Sequence, residues 1–365
     1  MPIVANSDLP TFERLRQQGH IILSPERAAH QDIRALHVGL LNMMPDAAME
    51  ATERQFFRLL GESNPIAQFF LHPFTIDEIP RGEKAAAHVA RYYRRFEEIR
   101  EEGLDALIIT GANVTQPDLS LEPFWEPLTR IMDWAQENVT STLYSCLATH
   151  AGMQHRYGKK RRRLPAKRWG VFEHRVVDRR HPLVMDVNTR FDVPHSRFNQ
   201  VDREMFDEAG LRVLIESEEA GVHLAVSPDL LRTVYFQGHP EYDTISLLKE
   251  YKREVGLYFA GQREDYPPFP DNYFDIYTRA IMNDYREAAE QARKKGRALP
   301  PFPEGLIVDR LDNTWHDTGE AIVGNWMGLV YQVTHADRRL SFMDGIDPND
   351  PLGLLAAERN AANAR

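Results

Sequence analysis

A chain of 365 residues, 42% apolar and 27% charged, has ordinary globular composition and room for one large α/β domain with insertions, or for two domains. Its net charge of −10 argues against a broad nucleic-acid-binding or anionic-membrane surface. No apolar run approaches a membrane span, and the opening MPIVANSDLPTFERLRQQGH lacks the charged-then-apolar order of a secretory signal, so a cytoplasmic protein is expected.

In chain order, residues 33–41 (IRALHVGLL) read as a buried strand. Residues 46–60 follow with helical spacing, with Asp46 as the start signal and Gly61 as the stop. A strand at 66–70, a charged helical stretch at 84–100, a strand at 104–110 and a helix at 124–137 continue the alternation. The strand STLYS at 141–145 runs into Cys146, and LATHAGMQHRYG beyond it has helical character. This alternation predicts a mostly parallel sheet covered on both faces, with its ligand crevice at the carboxyl ends of the strands. The second part is less regular, with strands expected at 171–177, 211–217, 222–226 and 233–236 and a helix at 245–255. Proline-rich breaks at 267–270 and 300–303 flank a long polar helix at 273–295, and the tail after Asp344 reads as polar and frayed.

Cys146 is the single cysteine, so an internal disulfide and a thiolate zinc site are both excluded, and no metal site is expected. A lone cysteine is commonly a small buried hydrophobe. At a strand-to-helix turn, however, a thiol is exposed at the sheet edge, and the helix amino terminus favours its thiolate. A second strand end carries QGHPEYD, where His239 and Glu241 form a pattern suited to a general base and its orienting acid. The alternative is that His-Pro-Glu merely caps a helix beginning near Pro240.

The segments GLLNMMP, TSTLYSCLATHAG, KRWGVFEH, VPHSRF and QGHPEYD, with TWHDTGEAIVGNWMGLVYQVT near the end, resemble the homoserine O-succinyltransferase family over about residues 33–338. That resemblance implies an α/β, flavodoxin-like fold similar to class I glutamine amidotransferases. It implies a triad of Cys146, His239 and Glu241, and substrate-binding positions at Lys167, Ser196 and Arg253. It also implies acyl transfer from a coenzyme A thioester to L-homoserine in methionine biosynthesis, with the thioester as co-substrate and no separate cofactor. Residues 1–32 would then be an amino-terminal extension, about 264–304 a C-terminal helical insertion and 339–365 a tail. A homodimer is one assembly open to such a chain.

The donor reading rests on Thr115 in TGANVTQ, at the family's acyl-specificity position. Acetyl-CoA users resemble one another in carrying glutamate there; threonine neither repels nor crowds a succinyl carboxylate, which favours succinyl-CoA, with acetyl-CoA as the alternative. Serine as acceptor differs by one methylene, a discrimination of only about 1–3 kcal/mol. Two departures from the family stand out: MMPDAAMEATE lacks the lysines expected after the first Met-Pro, and 273–295 looks like an insertion. The run KKRRR at 159–163 reads either as a solvated loop or as an attractor for coenzyme A phosphates. Two rival functions are a glutamine amidotransferase, whose nucleophile is flanked by glycine where this chain has Ser145 and Leu147, and a non-catalytic binding module.

Overall fold

The computed structural model describes residues 3–31, 33–63 and 67–364. Eleven strands among them form one sheet: β1 Ile3–Val4, β2 Ile22–Leu23, β3 Ala35–Leu41, β4 Gln68–Phe74, β5 Ala106–Ile109, β6 Ser141–Ser145, β7 Arg162–Val176, β8 Arg190–Gln200, β9 Arg212–Ser217, β10 Gly221–Val226 and β11 Thr233–Phe236. Their order is β2-β1-β4-β3-β5-β6-β11-β10-β9-β7-β8. Pairing is parallel from β2 through β11 and antiparallel from β11 through β8. The expected class therefore holds: α/β, mostly parallel, with helices on both faces.

The burial of the central strands explains that layering. β5, β6 and β11 are buried at every position, as strands covered on both faces must be. Period-two alternation sends Leu36, Val38, Leu40, Ile108, Val234 and Phe236 into one core, with Phe56, Phe57 and Leu60 of helix Asp46–Ser63 and Ile322, Trp326 and Val330 of helix His316–Val333. Leu107, Ile109, Tyr144 and Tyr235 face the other way, onto helices Trp125–Asn138 and Leu147–Tyr157.

Several expectations need correction. The helix from Asp46 passes through Gly61 and ends at Ser63. The charged stretch at 84–100 splits into Glu83–Tyr92 and Phe96–Glu102, because Tyr93 turns extended and the Arg94 amide donates to the Pro73 carbonyl. The strand expected at 66–70 is β4; its first position, Ile66, lies outside the described residues. In the stretch expected as an extension, β1 pairs with β4, and Leu9, Phe12 and Leu15 join the main core. The tail contains helix Leu354–Asn363, pinned by a two-pronged Arg212–Glu358 ion pair (2.6 and 2.8 Å). In the expected insertion, helix Ile276–Lys294 packs Met282 with Tyr251, Val255, Tyr273, Phe274 and Trp169, a satellite core over helix Ser246–Phe259.

Candidate active site

Parallel pairing brings the carboxyl ends of β3, β5, β6 and β11 side by side, and the reactive side chains emerge there. Cys146 follows β6 directly with φ 53° and ψ −105°, a left-handed conformation that costs a non-glycine residue about 1–3 kcal/mol. Its surroundings hold it in place. Its amide donates to the Phe236 carbonyl of β11 (2.8 Å), and the Thr149 hydroxyl lies 2.8 Å from the same carbonyl and 3.0 Å from that of Tyr144. Helix Leu147–Tyr157 starts at the next residue, so the Leu147 amide has no earlier helical carbonyl to bond. Gly111, just past β5, lies alongside: a Cβ there would sit 3.9 Å from Cys146 Cβ and 3.6 Å from Met44 Sδ.

His239 and Glu241 follow β11 on a loop held from several directions. Gln237 bonds the Val201 and Val222 backbone, and the His239 amide donates to the Pro194 carbonyl (2.8 Å). His239 Nδ1 donates to Glu241 Oε1 at 2.7 Å, and both side chains are buried. Tyr242 stacks on the imidazole with ring centroids 4.4 Å apart. Burial alone would disfavour the imidazolium, but the charges of Glu241 and Cys146, with hydrogen bonds to both, raise the pKa of His239 well above its usual value. No helix begins at Pro240; the next one starts at Ser246, so the capping alternative for His-Pro-Glu does not hold.

Helix His316–Val333 supports this loop from beneath. Trp315 Nε1 donates to the Tyr242 carbonyl (2.9 Å), and Gly319 packs so closely that a Cβ there would lie 2.9 Å from Pro240 Cβ. Gly319→Ala must therefore push the loop away or strain the helix. We expect a destabilisation of about 1–3 kcal/mol, read as a lowered melting temperature, together with a slower acyl transfer. A variant with unchanged melting and activity would show that the loop is free to move there.

The sequence-predicted binding residues divide between two places. Lys167 and Ser196 sit together on β7 and β8: Lys167 Nζ is 3.0 Å and Ser196 Oγ 2.6 Å from Glu250 Oε2, while the Tyr242 hydroxyl donates to Glu250 Oε1 (2.8 Å). Burial would raise the Glu250 pKa, but the Lys167 charge and these hydrogen bonds hold it below its usual value. Tyr242 thus joins this cluster to the triad. Arg253 lies nearly one turn beyond Glu250, 55% exposed, and pairs with Glu254 at 3.3 Å. Thr115 lies on the loop after Gly111, its amide donating to the buried Glu122 carboxylate (2.5 Å).

A homoserine O-succinyltransferase family profile matches residues 2–336. The chain belongs to the homoserine O-succinyltransferase family. The homoserine O-succinyltransferase of Allochromatium vinosum is 71% identical over 97% of this chain and 99% of its own length, and that of Methylococcus capsulatus 65% identical over 97% and 100%. A glutamine amidotransferase structure from Thermotoga maritima superposes at a TM-score of 0.44 with 12% identity, covering 82% of this chain and 99% of that one.

Within this family frame, the structure adds residues that motif reading passed over. Glu250 and Tyr242 carry no mark in the sequence beyond lying close to Arg253 and Glu241. At the turn after Met-Pro lies Arg81: its guanidinium donates to the Asn42 carbonyl (3.2 Å) and to Thr75 Oγ1 (3.1 Å) and reaches the Met44 carbonyl. Among the described residues, His316, Asp317 and Glu320 bring three potential metal ligands within 4.8 Å of one another, on the first turn of the supporting helix.

Proposed function

We propose that the chain transfers a succinyl group from succinyl-CoA to the hydroxyl of L-homoserine through an acyl-Cys146 intermediate. The observation that carries the reading is the placement of one buried imidazole between Glu241 and a cysteine on a strained strand-to-helix turn. The activity for which the relatives are named supports the donor and the acceptor.

In the first half-reaction the Cys146 thiolate adds to the thioester carbonyl carbon, and the negative charge moves to the oxygen. The Leu147 amide is placed to donate to that oxyanion. The carbon–sulfur bond to coenzyme A then breaks, and His239 Nε2–H supplies the proton that makes the departing sulfur a thiol. In the second half-reaction the homoserine hydroxyl gives its proton to neutral His239 as its oxygen attacks the acyl carbon, and Cys146 leaves as thiolate. Glu241 keeps Nδ1 protonated and Nε2 aimed at the reacting atoms throughout. Lys167 and Ser196 beside Glu250 offer both signs of charge to an amino acid, and Arg253 adds a guanidinium suited to a carboxylate. No tightly held cofactor enters the scheme. No helix among the described residues is long and apolar enough to cross a membrane, and the reading carries a cytoplasmic location with it.

The test is coenzyme A release from succinyl-CoA and acetyl-CoA with homoserine and with serine as separate acceptors. The highest kcat/KM is expected for succinyl-CoA with homoserine. Release of ammonia from glutamine, with no acyl transfer, would instead favour the amidotransferase reading.

A further inference from the structure

The basic run at 159–163 does not behave as one patch. Lys159 pairs with Glu208 (2.6 Å), Lys160 with Asp118 (2.5 Å) and Arg162 in two-pronged fashion with Asp202 (2.7 Å for each contact). Arg163 lies over the Phe198 ring. Arg161 differs from its neighbours in its partners. Its Nη2 donates to the Gln116 carbonyl (3.1 Å), its Nε is buried without a hydrogen-bond partner, and it makes no ion pair among the described residues.

Two features bring the loop it touches next to the nucleophile. Gly111 begins that loop beside Cys146, where an added Cβ would lie 3.9 Å from Cys146 Cβ, and the Glu122 carboxylate gathers the amides of Thr115 (2.5 Å) and Gln116 (2.6 Å). Burial lowers the Arg161 pKa, against the opposing charges of Glu122 and Cys146. Arg161 also acts on buried His150, one helical turn past Cys146, whose pKa burial and Arg197 push down to about 3 with Arg161 adding to the effect.

We propose that Arg161 receives the terminal carboxylate of the succinyl group and so selects a dicarboxylic acyl donor. The inference rests on the transferase reading above. The chemistry of the donor favours this partner over the phosphates of coenzyme A. In a succinyl thioester the free carboxylate is three carbon–carbon bonds of about 1.5 Å from the carbon that Cys146 attacks. The phosphates lie at the far end of the pantetheine arm. A guanidinium close to the nucleophile and short of a carboxylate partner therefore meets the acyl chain first, and its planar fork fits a carboxylate. Thr115 acquires a role from the same geometry. A glutamate at that position would offer Arg161 a carboxylate from the protein itself, neutralising the cation as well as repelling the succinyl group.

The test compares Arg161→Gln and Arg161→Lys with wild type, using succinyl-CoA, acetyl-CoA and butyryl-CoA; the last has succinyl's chain length without its carboxylate. Acylation of Cys146 is followed by intact mass in single turnovers, and kcat/KM is measured for each donor. Arg161→Gln should lower succinyl-CoA kcat/KM by about 10- to 100-fold, the scale of one charged hydrogen-bonded contact, and change the other two by about twofold or less. Arg161→Lys should recover part of the loss. Equal losses for all three donors, or no loss, would overturn the proposal. If Arg161→Gln does not fold, the donor ratio of Arg161→Lys decides in the same way. A wild-type protein that acylates Cys146 from none of the donors would count against the transferase reading, a result distinct from an unchanged donor ratio.

Discussion

Cys146→Ala is expected to lower acyl transfer by roughly 10⁴-fold or more while the protein still folds. Removing a nucleophile that forms a covalent intermediate has effects on that scale, and the chain has no second cysteine to take over. The side chain is only half-buried, so truncation leaves little cavity. The backbone is the more interesting part. Cys146 holds φ 53°, a conformation that glycine adopts without strain, because its amide is tied to Phe236 and its neighbour Thr149 to the same carbonyl. Cys146→Gly should therefore be as inactive as Cys146→Ala but more stable than it, by up to about 1 kcal/mol after the entropy of glycine is subtracted. The measurements are intact mass after mixing with succinyl-CoA, turnover, and melting temperature. An acyl adduct on Cys146→Ala, or turnover within tenfold of wild type, would rule out the thioester intermediate.

What sequence reading could see followed from burial and locality. β5, β6 and β11 were legible as short apolar runs because both of their faces are covered. Cys146 and His239 were legible because one directly follows such a run and the other comes three residues after one. β8 was not, since RFDVPHSRFNQ reads as polar and contains Pro194, although Phe191, Val193, Pro194, His195 and Arg197 are buried in the folded chain beside β7. The first half of β7 was hidden for the same reason, its RRLPAKRWG reading as a basic loop followed by a motif. Glu250 sits on a helix whose charged residues all look solvated in the sequence, and only the approach of Lys167 and Ser196, more than fifty positions away, sets it apart. Arg81 at the Met-Pro turn is a similar non-local placement. The helix at the end of the tail is too short and polar to stand without a tertiary anchor, and that anchor is non-local: Glu358 finds Arg212 at a sequence separation of 146.

His239→Ala and Glu241→Ala should differ in a way that separates proton transfer from orientation. The imidazole handles the proton in both half-reactions, so His239→Ala is expected to lose about 10²–10⁴-fold in each. Glu241 never takes the proton; its carboxylate fixes the tautomer and the ring, and Glu241→Ala should keep roughly 10- to 100-fold more activity than His239→Ala. The ionisation of His239 gives an independent readout. Its pKa is raised because Glu241 and Cys146 outweigh burial, so removing the Glu241 charge with Glu241→Gln should move the titration down toward or below the ordinary histidine value of about 6.5. The sign for stability follows from the same shift. A histidine whose folded pKa is raised contributes stability that is fully present below the unfolded value and is lost as pH rises through the folded one. Wild type should therefore lose this contribution only on the alkaline side, whereas Glu241→Gln should lack most of it at neutral pH. Nitrogen-15 spectra of histidine-labelled protein give the titration, thermal melts across pH give the stability, and single-turnover acylation gives the chemistry. If both alanine variants acylated and transferred at near-wild-type rates, and Glu241→Gln left the titration of His239 where it was, the His239–Glu241 pair would have no part in proton transfer.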